Sequence, residues 1–130
     1  MDFAPEFQQM IMKGQKKATT RILKSHVENG EPDLHRIVDA LKEQEEKHHA
    51  SSKKGVVVSA VSDRHESNPT EVFALIRVTS VESMLFSDLT PEIAAIEQFP
   101  SVESLKSCLQ TFYPWIQDSD EVHIFHFALI

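Results

Sequence analysis

The stretch KGQKKATTR, residues 13–21, decides how the chain begins to fold, because a predicted helix ends and a predicted strand begins within it. Gly14 follows an amphipathic segment, residues 3–13, at the position where a glycine in the left-handed conformation commonly ends a helix. The segment from Thr19 to Leu23 is rich in β-branched residues, which favour a strand. The stretch also carries four cations and no acid in a chain of formal net charge −7. We therefore predict a helix-to-strand transition with a local positive charge.

The bulk composition is that of an ordinary globular domain. The chain has 130 residues, of which 41% are hydrophobic and 25% are charged, which suits one domain with a genuine core. The sole cysteine, Cys108, excludes an intramolecular disulfide and favours a reducing compartment. The first residues lack the features of a secretory signal, and no run approaches the ~18 apolar residues that span a bilayer. We expect a cytoplasmic or nuclear domain, or one found in both, with no membrane partner.

The acidic net charge limits the nucleic acids that the chain can bind. Non-specific binding to a duplex requires several phosphates to be neutralised by Lys and Arg, and a chain of net charge −7 is poorly suited to this. A local basic site can still hold a single nucleotide or a short single strand.

The segments downstream predict one long helix and two strands. Residues 33–49 place four apolar side chains on one stripe and end in a polar tail, which predicts a helix that packs only its first half. GVVVSAV, residues 55–61, predicts a buried strand, and residues 71–86 predict a long strand bent near Thr79. The four side chains of the stripe are Leu34, Ile37, Val38 and Leu41.

The last third contains two helix starts and a final strand. Thr90 is a candidate N-cap followed by Pro91 at the favoured first helical position, and Ser101 is a candidate cap for a second helix. Residues 121–130 are apolar apart from their start and two histidines, which fits a central strand. The order of helices and strands predicts an α+β domain around a small sheet or barrel.

Three segments, in this order, resemble the ASCH family of small β-barrel domains, which are related to the PUA fold and associated with RNA or modified nucleosides. GQKKATTR is similar to the family signature G-x-K-x-x-T-x-R, FALIRVTSVESMLFSDLT to the strand that leads into its next turn, and AAIEQFPSVESLKSCLQTFYP to its acidic residue, helix and terminal Tyr-Pro. The resemblance implies a PUA-like β-barrel with flanking helices, formed by residues 1–130 as one domain. A helical segment at residues 31–51 looks inserted relative to the smallest members.

Two positions depart from the family pattern. Gly55 is followed by Val56, where family members often have a Gly-Asp pair, and Gln98 stands where a glycine commonly follows the acidic residue. Because both changes fall at positions that could shape the rim of the pocket, the substrate of a family member is not carried over to this chain.

A catalytic group is implied by the resemblance to one bacterial branch, an amidohydrolase that acts on N-acetylated cytidine. Its lysine, threonine and glutamate match Lys16, Thr19 and Glu97. A threonine hydroxyl needs an adjacent base, and a lysine can act as one only if burial or neighbouring cations lower its pKa. Pairing with Glu97 would instead raise the pKa of Lys16, and the sequence leaves this conflict open. Hydrolysis of acetylated cytidine or of single-stranded RNA is therefore one hypothesis.

Binding without turnover is the hypothesis that the sequence favours. Lys16 and Thr19 can hydrogen-bond a base or a phosphate, and Arg21 offers a planar fork to either group. The predicted ligand is single-stranded RNA, a nucleotide or a modified nucleoside. Tyr113 is a candidate for stacking on a base, and the remaining predicted ligand-binding residues are Lys13 and Lys17.

Two further hypotheses concern protein partners and metals. The polar half of the 33–49 helix would suit a protein-interaction module. His123 and His126 lie three apart on a predicted strand and so face opposite ways, and the single cysteine and the absence of an H-x-x-x-H pattern argue against zinc. We predict no metal and no cofactor, and we interpret Cys108 as a small core residue.

Overall fold

A computed structural model describes residues 1–3, 5–22, 33–47, 55–62 and 72–130. A two-residue strand, which the sequence did not indicate, precedes the first helix, and that helix is shorter than predicted. Leu23 and residues 31, 32 and 48–51 of the predicted insertion lie outside the described residues. The elements are β1 (Asp2–Phe3), α1 (Pro5–Met12), β2 (Ala18–Arg21), α2 (Asp33–Lys47), β3 (Val56–Ser62), β4 (Val72–Leu85), a 3₁₀ turn (Phe86–Asp88), α3 (Pro91–Ile96), α4 (Val102–Phe112) and β5 (Glu121–Leu129).

The strands form one sheet in the order β1-β3-β4-β5-β2. β1 pairs with β3 in parallel, and the other neighbouring strands are antiparallel. The apolar segment β5 lies between β4 and β2, which confirms the prediction of a central strand. The α+β class with flanking helices is also confirmed. The described strands form an open sheet with β1 and β2 at its edges, so the closed barrel that the resemblance implied is not seen among them.

A bulge and a close approach of two backbones shape the sheet near the start of β3. The pairing of β4 with β5 skips one residue between Val78 and Ser80, which places a bulge at the predicted bend near Thr79. Gly55, just before β3, has φ +124°, and a Cβ there would lie 2.7 Å from the carbonyl oxygen of Val78. The close approach of two backbones therefore requires glycine at this position.

Alternation along β5 divides the interior into two core clusters, because successive side chains of a strand point to opposite faces. The first core cluster lies beneath α1 and α2 and contains Met1, Phe3, Ile11, Leu34, Ile37, Leu41, Ala60, Ile76, Val78, Phe125 and Phe127. The second core cluster lies beneath α3 and α4 and contains Ala18, Ile22, Phe86, Leu89, Ile93, Ala94, Leu105, Leu109, Ile116, Val122 and Ile124.

α3 and α4 begin at the N-caps that the sequence predicted. The side chain of Thr90 accepts a hydrogen bond from the backbone N–H of Ile93, and that of Ser101 accepts one from Ser104. The predicted stripe of α2 packs into the first core cluster. Within the described residues, no helix is both long and apolar enough to cross a membrane.

Candidate ligand site at the edge strand

The chain reaches β2 through a helix end of defined geometry. Gly14 has φ +71°, and its N–H donates to the carbonyl of Ile11 at 2.9 Å, while the N–H of Gln15 donates to Met10 at 2.8 Å. This pair of bonds is the Schellman motif, in which the residue after the helix adopts the left-handed conformation. The predicted left-handed glycine is confirmed, and the turn brings Lys16 beside the start of β2.

Lys16 and Glu97 form a buried ion pair at this edge. Their residues are 3% and 2% exposed. The Lys16 ammonium donates to the backbone oxygen of Glu97 at 3.0 Å and lies 3.7 Å from its Oε1 atom. The pair joins positions 81 residues apart in the chain, and it ties the end of α3 to the segment that enters β2.

Thr20 holds the other side of the Glu97 carboxylate. Its backbone N–H donates to Oε1 at 3.0 Å, and its hydroxyl donates to Oε2 at 2.6 Å. Both carboxylate oxygens are therefore bonded to one residue of β2. These two hydrogen bonds fix the direction in which the carboxylate points.

Two aromatic rings complete the surroundings of the Lys16 ammonium. Its nitrogen lies 4.6 Å from the ring centroid of Phe7 and 5.3 Å from that of Phe99, within the range of cation–π attraction. The two rings lie 5.7 Å apart, and they pack against the first and the second core cluster respectively. Lys16 therefore lies where the two halves of the interior meet around the edge of β2.

Burial lowers the pKa of Lys16 from 10.5 to about 8. The charge of Glu97 acts in the opposite direction, and the charge of Arg21 lowers the pKa further. The conflict that the sequence left open is thus decided by burial, which outweighs the attraction of the carboxylate. Near neutral pH the amine is mostly protonated and can lose its proton under mildly alkaline conditions.

Thr19 and Arg21 lie on the opposite face of β2. Thr19 is in register with Phe125 of the first core cluster, whereas Thr20 is in register with Ile124 of the second. The Nε atom of Arg21 donates to the Thr19 hydroxyl oxygen at 3.2 Å, and the guanidinium lies 5.2 Å from the ring centroid of Phe3. Within the described part of the chain, no hydrogen bond joins Thr19 to Lys16 or Glu97. The structure therefore brings together two members of the predicted catalytic group and separates the third.

Two solved structures have a backbone similar to that of this chain. One is an ASCH domain from Lactobacillus crispatus JV V101, with a TM-score of 0.58 at 14% identity over 94% of this chain and 69% of that one. The other is a protein from Enterococcus faecalis V583 described by the family model DUF984, with a TM-score of 0.58 at 18% identity over 96% of this chain and 67% of that one. The chain has the fold of ASCH domains. No protein-family model and no curated protein matches its sequence.

Gln98 ends α3 in a backbone conformation that favours glycine. Gln98 has φ +70°, and a second Schellman motif ends α3, because Phe99 N–H donates to Ala94 at 2.8 Å and Gln98 N–H donates to Ala95 at 3.1 Å. The glycine that family members commonly have here would adopt this conformation without steric cost. The departure from the family pattern is therefore a less favourable residue in the same helix end, directly after Glu97.

The other residues predicted to bind the ligand are Lys13, Lys17 and Tyr113. The side chains of Lys13 and Lys17 are exposed on either side of buried Lys16. Tyr113 is half-buried against the second core cluster and meets the ring of Trp115 edge-on, with centroids 5.8 Å apart. The ASCH-fold edge thus presents two exposed cations at its surface and one buried cation inside.

Two residues near this site were not identified as part of it from the sequence. Thr20 is not one of the signature residues. The one feature of the sequence that could have indicated it is its polarity, because Ala18 and Ile22, which share its face of the strand, are apolar. Cys108 was interpreted as a core residue, but it is half-buried, and the charges of Lys16 and Glu97 act on the pKa of its thiol. Burial raises the pKa of the Cys108 thiol, so it is neutral at physiological pH. No sequence pattern indicates that α4 brings this thiol toward the pair.

The described residues contain no group of three or more His, Cys, Asp or Glu side chains arranged to hold a metal ion. His126 lies 3.2 Å from the Glu82 carboxylate, and His123 lies 3.6 Å from that of Glu121. Each contact pairs one histidine with one carboxylate.

Proposed function

We propose that this protein binds a nucleotide, a modified nucleoside or a short single-stranded RNA at the edge of β2. The observation that supports this most directly is the buried pair of Lys16 and Glu97. A buried ion pair contributes little to stability compared with apolar residues of the same volume, and ionisable groups with shifted pKa values collect at functional sites. A ligand that gains hydrogen bonds from this pair would account for its presence.

The charges and donors at this edge match a base that carries a phosphate. Lys16 offers ammonium hydrogens, and Arg21 offers a planar fork suited to a phosphate or to a base edge. Because Arg21 already donates to the oxygen of Thr19, the hydroxyl hydrogen of Thr19 is left to act as a donor. Lys13 and Lys17 add exposed positive charge for the phosphates of a nucleotide or a short strand.

Binding is favoured over hydrolysis by the partners of Thr19. A threonine nucleophile needs a base within hydrogen-bond distance. Here the Thr19 oxygen accepts from Arg21, and among the described residues no base accepts a hydrogen bond from its hydroxyl. One observation supports the hydrolase as a second candidate. With a pKa of about 8, Lys16 is neutral in roughly a tenth of the molecules at pH 7. If a ligand moved Thr19 toward this amine, the neutral amine could accept the proton of the Thr19 hydroxyl.

The test is a calorimetric titration with cytidine, N4-acetylcytidine, cytidine monophosphate and a short single-stranded RNA. Lys16→Met should weaken binding by about 10- to 150-fold, the range for loss of a charge-assisted hydrogen bond. Thr19→Val should weaken it by about fivefold, as expected for a neutral bond. Lys42→Met, an exposed lysine on α2, is the matched control and should bind like the wild type.

An assay for released acetate or cleaved RNA separates the two candidates. Turnover by the wild type, abolished in Thr19→Val with affinity unchanged, would establish hydrolysis. The proposal is wrong if the wild type binds none of the four ligands, or if folded Lys16→Met binds them as tightly as the wild type.

A further inference from the structure

We propose that Thr20 is a positioning residue that holds the Glu97 carboxylate away from the Lys16 ammonium and so leaves ammonium hydrogens to the ligand. This inference rests on the proposed function, since it assigns a role to Thr20 within the same site. Thr20 itself faces the second core cluster, and in this proposal it does not contact the ligand.

The geometry of the carboxylate supports this role. A direct hydrogen bond between an ammonium and a carboxylate is about 2.7–2.9 Å long, but Lys16 Nζ is 3.7 Å from the nearer carboxylate oxygen. Instead, the ammonium bonds to the backbone oxygen of Glu97 at 3.0 Å. The carboxylate is directed toward Thr20, whose N–H and hydroxyl engage one oxygen each.

The charged and titratable groups that act on the pKa of Lys16 come from three elements. Glu97 at the end of α3 and Cys108 on α4 raise the pKa of Lys16, and Arg21 on β2 lowers it. Glu6 on α1 acts on the Cys108 thiol. Glu97 is the strongest of the groups that favour the charged amine. Its distance from the amine therefore sets how far its attraction offsets the effect of burial on the pKa of Lys16. The Thr20 N–H holds the Oε1 atom that lies 3.7 Å from the amine, and the Thr20 hydroxyl holds Oε2 and so limits rotation of the carboxylate toward the amine.

Removal of the hydroxyl should let the carboxylate turn toward Lys16. In Thr20→Val, which keeps the shape, Oε2 loses its donor and a direct bond to the ammonium becomes the best replacement. The closer negative charge should raise the titration midpoint of Lys16 by about half a pH unit or more. Thr20→Ser keeps the hydroxyl and should keep the midpoint of the wild type.

The experiment is an NMR titration of ligand-free protein with ¹³Cε-labelled lysine, in which the Lys16 signal is assigned by its loss in Lys16→Met. A purely structural role would lower the melting temperature of Thr20→Val without moving the midpoint. An unchanged or lowered midpoint in folded Thr20→Val overturns the proposal, and so does an equal shift in Thr20→Ser. If Thr20→Val does not fold, Thr20→Ala removes the same hydroxyl without added bulk and must raise the midpoint.

The titration needs no ligand, so its failure is distinguishable from that of the proposed function. A raised midpoint in a protein that binds none of the four ligands supports the positioning role and shows that the ligand class is wrong. An unchanged midpoint in a protein that does bind them overturns the positioning role and leaves the ligand site standing.

Discussion

On one face of β2, Thr20 bonds to a buried carboxylate, whereas on the other face Thr19 bonds to the half-buried guanidinium of Arg21. The two threonines are adjacent in the sequence and similar in exposure, at 5% and 6%. Thr20 donates to the Glu97 carboxylate between α3 and β2, whereas Thr19 accepts from the Arg21 guanidinium on the face of the first core cluster. The period of two along a strand therefore divides a continuous cationic stretch between two chemical environments.

The same comparison applies to the lysines. Lys16 lies between two aromatic rings and a carboxylate, and burial shifts its pKa, whereas Lys13 and Lys17 remain exposed. Three lysines of equal formal charge thus become one buried amine with a lowered pKa and two exposed cations. The local charge density of the sequence does not distinguish them.

The largest expected difference between the two faces is in stability. Glu97→Ala leaves the Lys16 ammonium without its counter-ion and leaves the N–H and hydroxyl of Thr20 without an acceptor. We expect a loss of about 3 kcal/mol in the free energy of unfolding. Thr19→Val, on the other face, should cost about 1 kcal/mol or less. Urea denaturation at pH 7 measures both values.

Glu92→Ala is the matched control for the Glu97 variant, because Glu92 is an exposed glutamate in the first turn of the same helix. It should cost no more than about 1 kcal/mol, the worth of its interaction with the helix dipole. Equal losses in Glu97→Ala and Thr19→Val would show that the two faces contribute alike, which contradicts the comparison.

The pH dependence of stability should identify the buried lysine. Because the pKa of Lys16 is about 8 in the folded protein and 10.5 ordinarily, the unfolded chain binds more protons between these values. The cost of burying the charged amine is fully present below pH 8 and is relieved as the pH rises toward 10.5. The wild type should therefore gain about 2 kcal/mol relative to Lys16→Met between pH 7 and pH 10.

Urea denaturation of both proteins across this pH range gives that difference. The raised pKa of the Cys108 thiol acts in the opposite direction, because the folded protein then binds the extra proton at alkaline pH. Since both proteins contain Cys108, most of its effect cancels. A difference that stays flat or falls with pH would mean that the charged amine is not destabilised in the folded state.

The smallest effects on stability are expected at the two helix ends next to Lys16 and Glu97, which are formed by Gly14 and Gln98. Nothing lies within 4 Å of a Cβ added to Gly14, so Gly14→Ala should cost about 1 kcal/mol from the left-handed conformation alone. Gln98→Gly should stabilise the protein by about 0.5–1 kcal/mol for the same reason. Thermal denaturation measures both, and Gln98→Ala, which retains a Cβ, should match the wild type. Stabilisation by alanine equal to that by glycine would exclude the conformational explanation.

The sequence by itself determined the features that depend on neighbouring residues. Helix caps at Thr90 and Ser101, the helix end at Gly14 and the bend at Thr79 all follow from chemistry within a few residues, and all are found where predicted. The central place of β5 also follows, because an apolar strand is stable only where both of its faces are covered. The resemblance of three segments to the ASCH family also indicated the fold, except for the closed barrel.

Only the tertiary structure decided which of the candidate residues share a face. Glu97 meets Lys16 and Thr20 across separations of 81 and 77 residues, and no local pattern encodes a contact over such distances. The assignment of Thr19 to one face and Thr20 to the other depends on the register of β2 with β5, since a shift of one residue would exchange them. The shifted pKa of Lys16 depends in turn on burial between two core clusters, which exist only once the sheet and its helices are packed.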